Sequence, residues 1–223
     1  MRYVVHSHKN AEVIINGQPE VKRLFDGFAG IISGLTDSEI IEHFKANHEG
    51  RVKSLSLSIN ALLDQKLIAA GWMPQANIFA ESAYGHDRRW RLDFSKKIDI
   101  EDNSFPDYTV SRESGIAVEV AFNHGEAIAW NLVKPTLAAE QNHVKKAIQA
   151  DIGIIVTATD RLKAAGAFDS AVGSYEKFLT YMRPMSNILT APLLIIGLDA
   201  PETFRVRQVA RGNKKIGLIE MLN

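Results

Sequence analysis

The residues best placed to do chemistry are two acids, Asp107 in Phe105-Pro-Asp-Tyr108 and Glu119 in the run Ile116-Ala-Val-Glu-Val-Ala-Phe122. The run alternates as a strand does, with Ile116, Val118, Val120 and Phe122 on one face and Ala117, Glu119 and Ala121 on the other. Glu119 therefore stands among small neighbours with room for a metal ion, where an unpaired buried carboxylate would be costly. Pro106 fixes the chain in front of Asp107 and removes a ladder donor, as at a strand end or bulge. An Asp at a strand end and a Glu on the next strand can converge on one Mg²⁺, which binds through one or two carboxylates plus substrate phosphate. The Val120 carbonyl is a further candidate ligand. The chemistry such a set supports is phosphodiester hydrolysis, with the cation offsetting charge that develops on the phosphoryl group. The same pattern also fits an exposed Asp in a turn and a Glu paired to a core Arg. Asp93, Asp99, Glu101 and Asp102 are alternative acids. Asp93, in the strand-like Arg91-Leu-Asp-Phe94, ranks behind Asp107 on its spacing from Glu119. His6 and His8 form an H-x-H without a third ligand at zinc spacing, and read as a polar strand end.

The elements that must position these groups are legible from periodicity. Val21, Leu24, Phe25, Phe28, Ile31 and Ile32 predict a helix over 18–33, and Leu55, Ile59, Leu62, Leu63 and Leu67 another over 54–70, stopped by Gly71. Arg89–Phe94 alternates like a strand. Leu137, Val144 and Ile148 predict a helix over 136–150 after a break at Pro135. Gly153–Thr157 and Leu193–Leu198 are short, continuously apolar runs that suit strands buried on both faces, with a helix around Tyr175–Met182 between them. Strands flanked by helices predict a three-layer α/β/α domain with a mixed sheet. No repeat, linker or low-complexity tract divides the chain, so residues 1–223 are read as a single domain.

Composition narrows the classes. The 223 residues are 46% hydrophobic and 23% charged, ordinary for a soluble globular protein. The absence of cysteine excludes disulfides and thiolate zinc sites. The N-terminal MRYVVHSHKN lacks the apolar run of a signal peptide, and no segment approaches the roughly 20 apolar residues that span a bilayer. A cytoplasmic protein is expected. The formal net charge of zero does not favour a nucleic-acid partner, but distribution matters more than the sum. Basic residues cluster at Arg205, Arg207, Arg211, Lys214 and Lys215, and again at Arg88, Arg89, Arg91, Lys96 and Lys97. Each cluster is either a solvated face or a phosphate-facing one.

The stretch Ala117-Val-Glu-Val-Ala-Phe-Asn-His124 resembles the catalytic strand of type II restriction endonucleases of the BglII, BstYI and BamHI group, in the PD-(D/E)xK nuclease superfamily. Val5–Asn10, Leu62–Trp72, Asp151–Val156, Asp169–Glu176 and Pro192–Gly197 are similar to further family segments, in the same order. The resemblance implies a restriction-endonuclease-like α/β/α fold and Mg²⁺-dependent, sequence-specific hydrolysis of double-stranded DNA by a homodimer. It implies no small-molecule cofactor and no membrane. Asp107 and Glu119 then fill the first two motif positions as metal ligands. The third is Ala121, a departure, because a methyl group can neither orient a water nor accept its proton. Asn123, Glu126 or Lys134 is expected to take over that role. Polar groups near the metal in relatives correspond to Gln75 and Asn77. Asn123, His124 and Lys134, together with Asp169, Ser170 and Ser174, are the positions expected at DNA. Helix capping is the alternative for several of them. The dimer interface is expected from helices around 134–150 and 18–33. A DNA-binding protein on a nuclease scaffold, with weak or lost catalysis, is the competing function.

Overall fold

The alternation at Ile116–Phe122 belongs to a long strand near the middle of a six-stranded sheet. A computed structural model describes residues 1–102, 110–140 and 144–222. In chain order the elements are β1 (Tyr3–His8), α1 (Ala11–Gly17), α2 (Pro19–Ser33), α3 (Asp37–Asn47), α4 (Ser56–Ala69), β2 (Met73–Asn77), the short α5 (Ser82–Gly85) and, after a 3-10 turn, β3 (Arg91–Asp102). They continue with β4 (Val110–Val120), α6 (Ile128–Ala139), β5 (Ile152–Ala158), α7 (Asp160–Ala165), α8 (Tyr175–Met185), β6 (Leu193–Leu198), β7 (Phe204–Arg211) and β8 (Lys214–Met221). The main sheet runs β1-β6-β5-β4-β3-β2, and β7 and β8 form a separate ribbon. β4, β5 and β6 are parallel, and the remaining pairings are antiparallel.

Every residue of β5 and β6 is buried, as their unbroken apolar runs require of strands covered on both faces. One face, carrying Ile116, Val118, Ile154 and Ile196, packs on the apolar stripes of α2 and α4. Val21, Leu24, Phe28 and Ile32 recur at helical spacing to make the α2 stripe, and Phe28 meets Trp72 with ring centroids 5.0 Å apart. The opposite face, carrying Ala121, Ile155 and Ile195, packs on Ile128 and Leu132 of α6 and Phe178 and Met182 of α8. The three-layer α/β/α architecture with a mixed central sheet is thus present. No helix among the described residues is long and apolar enough to cross a membrane.

One expected helix is displaced. Residues 136–139 are the end of a helix and not its beginning: α6 starts at Ile128, carries Pro135 in its interior and ends at Ala139, and residues 144–150 are not helical. Residues 145–147 instead pair with the segment after β2, through Ala80 N–H to the Lys145 carbonyl at 2.8 Å and Ala147 N–H to the Ile78 carbonyl at 2.9 Å. Tertiary packing explains the proline. A Cβ on Gly153 of β5 would lie 2.6 Å from Pro135 Cβ and would also collide with the Leu193 side chain, so the ring fills the space this glycine leaves. The packing offsets the helical hydrogen bond that proline removes.

Gly153→Ala should therefore destabilise the fold by about 1–3 kcal/mol through overpacking. Urea unfolding with fixed m-value reads it directly, and a midpoint equal to wild type would show that α6 is not seated on β5 in this way.

Candidate active site

The site forms where strands part. Regular pairing of β3 with β4 runs from Asp102–Val110 to Phe94–Val118. One step on, a side chain replaces the ladder: Val120 N–H donates to Asp93 Oδ2 at 2.8 Å. β2 is paired with β3 at Pro74–Phe94 and Ala76–Leu92, and Gln75 between them has φ of +49°. That left-handed backbone costs a non-glycine residue about 1–3 kcal/mol and marks sites where surrounding structure enforces it. The Gln75 side chain hydrogen-bonds Asp93.

Glu119 lies beneath α6 and is 2% exposed. From α6, Lys134, itself 8% exposed, ion-pairs with Glu119 Oε2 and donates to the Arg91 carbonyl at 3.1 Å. Of the alternatives for Glu119, pairing to a core cation is real, but the cation is a lysine. Glu119 Oε1 is buried without a hydrogen-bond partner. Burial, then the neighbouring charge of Asp93, push Glu119 up to about 8 against the pull of Lys134. Burial also raises Asp93, against the Val120 N–H, Lys134 and Gln75. The Asp93 charge disfavours ionisation of Glu119, which carries an orphaned oxygen. This hard-oxygen donor set fits a divalent cation such as Mg²⁺.

Beside Asp93 opens a cavity of about 200 Å³, lined among others by Asn60, Asp64, Gln75 and Val120. Burial and the Asp93 charge raise the Asp64 carboxyl, and Asn60 Oδ1 is buried without a partner. Sequence reading missed both residues. The available signal was a polar pair at i, i+4 spacing beside the apolar stripe of α4, which periodicity alone treats as a solvated edge.

Asp107 lies outside the described residues, and the acid that these bring to Glu119 is Asp93. Asn77 is exposed at the end of β2, opposite Arg91. Asn123, His124 and Glu126 follow the catalytic strand and are exposed. Asn123 Oδ1 accepts from Asn131 Nδ2 at 3.1 Å. The second expected region is stitched to the first: Gly173 N–H donates to the Asn123 carbonyl at 3.0 Å and Gly125 N–H to the Ala171 carbonyl at 2.7 Å. Lys163 Nζ donates to the Val172 carbonyl at 2.6 Å. Lys53 pairs with Asp169 and holds its carboxyl at about 2. Ser170 is exposed, whereas Ser174 is fully buried and accepts from Lys177 N–H as the cap of α8.

A family model described as Restriction endonuclease BglII/BglIII matches residues 3–198. Among solved structures, restriction endonuclease BglII complexed with a DNA 16-mer is similar to the chain, with a TM-score of 0.63 at 15% identity and both chains covered in full. Free BglII gives a TM-score of 0.48 at 12% identity, again over both whole chains. No curated protein sequence matches. The first likeness is one of fold and agrees with the mixed six-stranded sheet between helices.

The raised Glu119 carboxyl has a consequence for stability. Its folded-state value of about 8 lies above the ordinary 4.5, so between those limits the folded chain keeps a proton that the unfolded chain releases. Without divalent ions, stability should fall as pH rises through that window, and Glu119→Gln, which cannot ionise, should flatten the slope. Denaturant unfolding of both proteins at pH 5 and pH 8 checks it. An equally steep decline in the variant would assign the effect elsewhere.

Proposed function

This chain belongs to the BglII/BglIII family of restriction endonucleases, and we propose that it cuts both strands of duplex DNA as a homodimer, with Asp93 and Glu119 as ligands of Mg²⁺. The family makes it a type II site-specific deoxyribonuclease. The observation that carries the site assignment is the convergence of three elements: Asp93 from β3, Glu119 from β4 and Lys134 from α6. The Val120 carbonyl is the proposed third protein oxygen. When bound, the cation would supply positive charge that offsets the negative charge developing on the scissile phosphate. Asp107 remains a rival first ligand by sequence motif, and direct substitution separates the two acids.

Lys134 is proposed to replace the polar residue that Ala121 lacks. Ala121 is 2% exposed against Ile128 and Leu132, so a long side chain there would clash with α6. The helix that forbids the usual solution delivers another: Lys134 reaches Glu119 from the next turns of α6. With a cation on Glu119, the buried Lys134 ammonium would be left with the Arg91 carbonyl, and an unpaired buried charge is costly. A phosphoryl oxygen of the substrate would then serve as its counter-charge, supplying electrostatic stabilisation of the kind cleavage needs. This argues against the reading of a DNA-binding protein with lost catalysis.

Asn123, His124, Asp169 and Ser170 are proposed to read base edges, supported by the bonds that join their two segments next to the catalytic strand. Two antiparallel cuts across a palindrome require two identical sites, hence the proposed closed two-fold dimer. We place its interface by resemblance around α2 and the stretch from α6 to residue 150. A cytoplasmic location follows from the substrate.

Single-turnover cleavage with binding measured separately tests the site. Asp93→Asn and Glu119→Gln should abolish cutting while keeping DNA affinity. Lys134→Met, similar in length but uncharged, should slow cutting about 10²–10³-fold, while Asn123→Ala and Glu126→Ala stay within a few-fold. Unfolding midpoints taken alongside separate loss of chemistry from loss of fold. Cutting at wild-type rate by Asp93→Asn, with activity lost in Asp107→Asn, would transfer the ligand role to Asp107. Intact but retarded plasmid with the wild-type protein would establish the binding-only reading.

A further inference from the structure

The ribbon of β7 and β8 lies beyond the family match, which ends at residue 198. Its inner side is firmly seated: Phe204 and Val206 join the main core, and Gly217 exchanges backbone bonds with Gly50 and Val52 at 3.2 and 2.8 Å. Ile219 N–H donates to Glu49 Oε1 at 2.9 Å. Its outer side is different. Strand alternation and the pairing of Arg205 with Glu220 and Arg211 with Lys214 put Arg205, Arg207, Arg211 and Lys214 on one face. Glu220 is the acid they share there, taken by Arg205 and, at 3.8 Å, by Arg207. Arg211 and Lys214 stand directly opposite each other across the ladder, an unfavourable like-charge pair, and Arg211 Nη1 donates to the Gly50 carbonyl at 3.4 Å.

The position of the ribbon says which anion such a face would meet. Gln208 Nε2 donates to the Ala167 carbonyl at 3.1 Å, and Lys53, whose carbonyl lies under Gly217, pairs with Asp169. The ribbon is therefore continuous with the 167–173 loop that is stitched to Asn123 and His124. We infer that the outer face of the β7–β8 ribbon is a clamp for the phosphate backbone of duplex DNA flanking the recognised base pairs. This rests on the reading of the protein as a DNA-cutting enzyme. It also accounts for a neutral chain engaging a polyanion: this face carries Arg205, Arg207, Arg211 and Lys214 against the single acid Glu220, so its local charge is positive. Phosphate contacts of this kind carry no sequence information but set affinity and its salt dependence.

The test compares wild type with the Arg207→Gln, Arg211→Gln, Lys214→Gln triple variant. Binding is measured in Ca²⁺ across a salt series, on a long duplex and on one trimmed to the recognised site. On the long duplex the slope of log affinity against log salt should weaken by about 2–3 per protomer, and affinity should fall accordingly. On the trimmed duplex the two proteins should bind alike, and single-turnover cutting at saturating DNA should be unchanged. Equal slope and affinity on the long duplex would overturn the clamp, as would a variant whose only change is its oligomeric state, which would give the face to a second copy. A wild type that cuts normally with an indifferent variant refutes the clamp alone. A wild type that binds no duplex refutes the reading beneath it as well.

Discussion

Glu119 is held beneath α6 with Asp93 beside it, and two carboxylates so placed cannot both ionise in a dry interior without a cation close by. The rest of the molecule is arranged around that conflict. The β3–β4 ladder stops one pair short of the site, so that the Asp93 side chain, rather than a backbone carbonyl, takes the Val120 N–H. Gln75 accepts a left-handed backbone to present its amide to Asp93. Lys134 stays buried against Glu119, where its charge opposes the rise that burial and Asp93 impose. Each is unfavourable alone and is stable only because the sheet and α6 over-determine its position.

The same packing explains how a polar group can reach the proposed site although Ala121 supplies none. A polar side chain at position 121 and a closely packed α6 exclude each other, because Ala121 sits against Ile128 and Leu132. With alanine there, the helix closes down until Pro135 contacts the floor left by Gly153, and this closure carries Lys134 to Glu119. Alanine, glycine, an internal proline and a buried lysine are thus four parts of one packing solution. Strand sequence alone registers only a loss at Ala121, because the compensation arrives from a different layer of the fold.

How much could be read without the structure follows from the same distinction. α2, α4, β5 and β6 were legible because each buries a stripe or a run whose period survives in the chain. The face carrying Glu119 was legible for the same reason. The acid that the described residues bring to Glu119 was harder to pick out, since the sequence ranks Asp107, which lies outside them, first by its distance along the chain. Yet the alternation of Ile98 and Ile100 with Asp99 and Glu101 continues β3 to Asp102, and a hairpin of that length sets Asp93 beside Glu119 in space while separating them widely in sequence. The helix expected over 136–150 failed where propensity was asked to decide against packing, at Pro135. Asp64 and Asn60 left no usable trace, because a polar pair on a helix edge looks the same facing water or facing the cavity beside Asp93.

The segments proposed to meet DNA carry a last consequence of this economy. A loop that must read bases has to be exposed, yet a mobile loop would give up its contact energy to ordering costs. Here the exposed residues are carried by backbone whose bonds are already made: Asn123 and Gly125 to Gly173 and Ala171, Lys163 to Val172, Lys53 to Asp169. The strand that holds Glu119 ends at Val120, and the first of these bonds lies three residues later. The segments proposed to read bases are therefore mechanically close to the carboxylates. A wrong sequence that distorts the 169–173 loop has a short, rigid path by which to displace the strand end where Asp93, Val120 and Glu119 meet. Specificity of cutting can then exceed specificity of binding, since the same few bonds position both the reader and the chemistry.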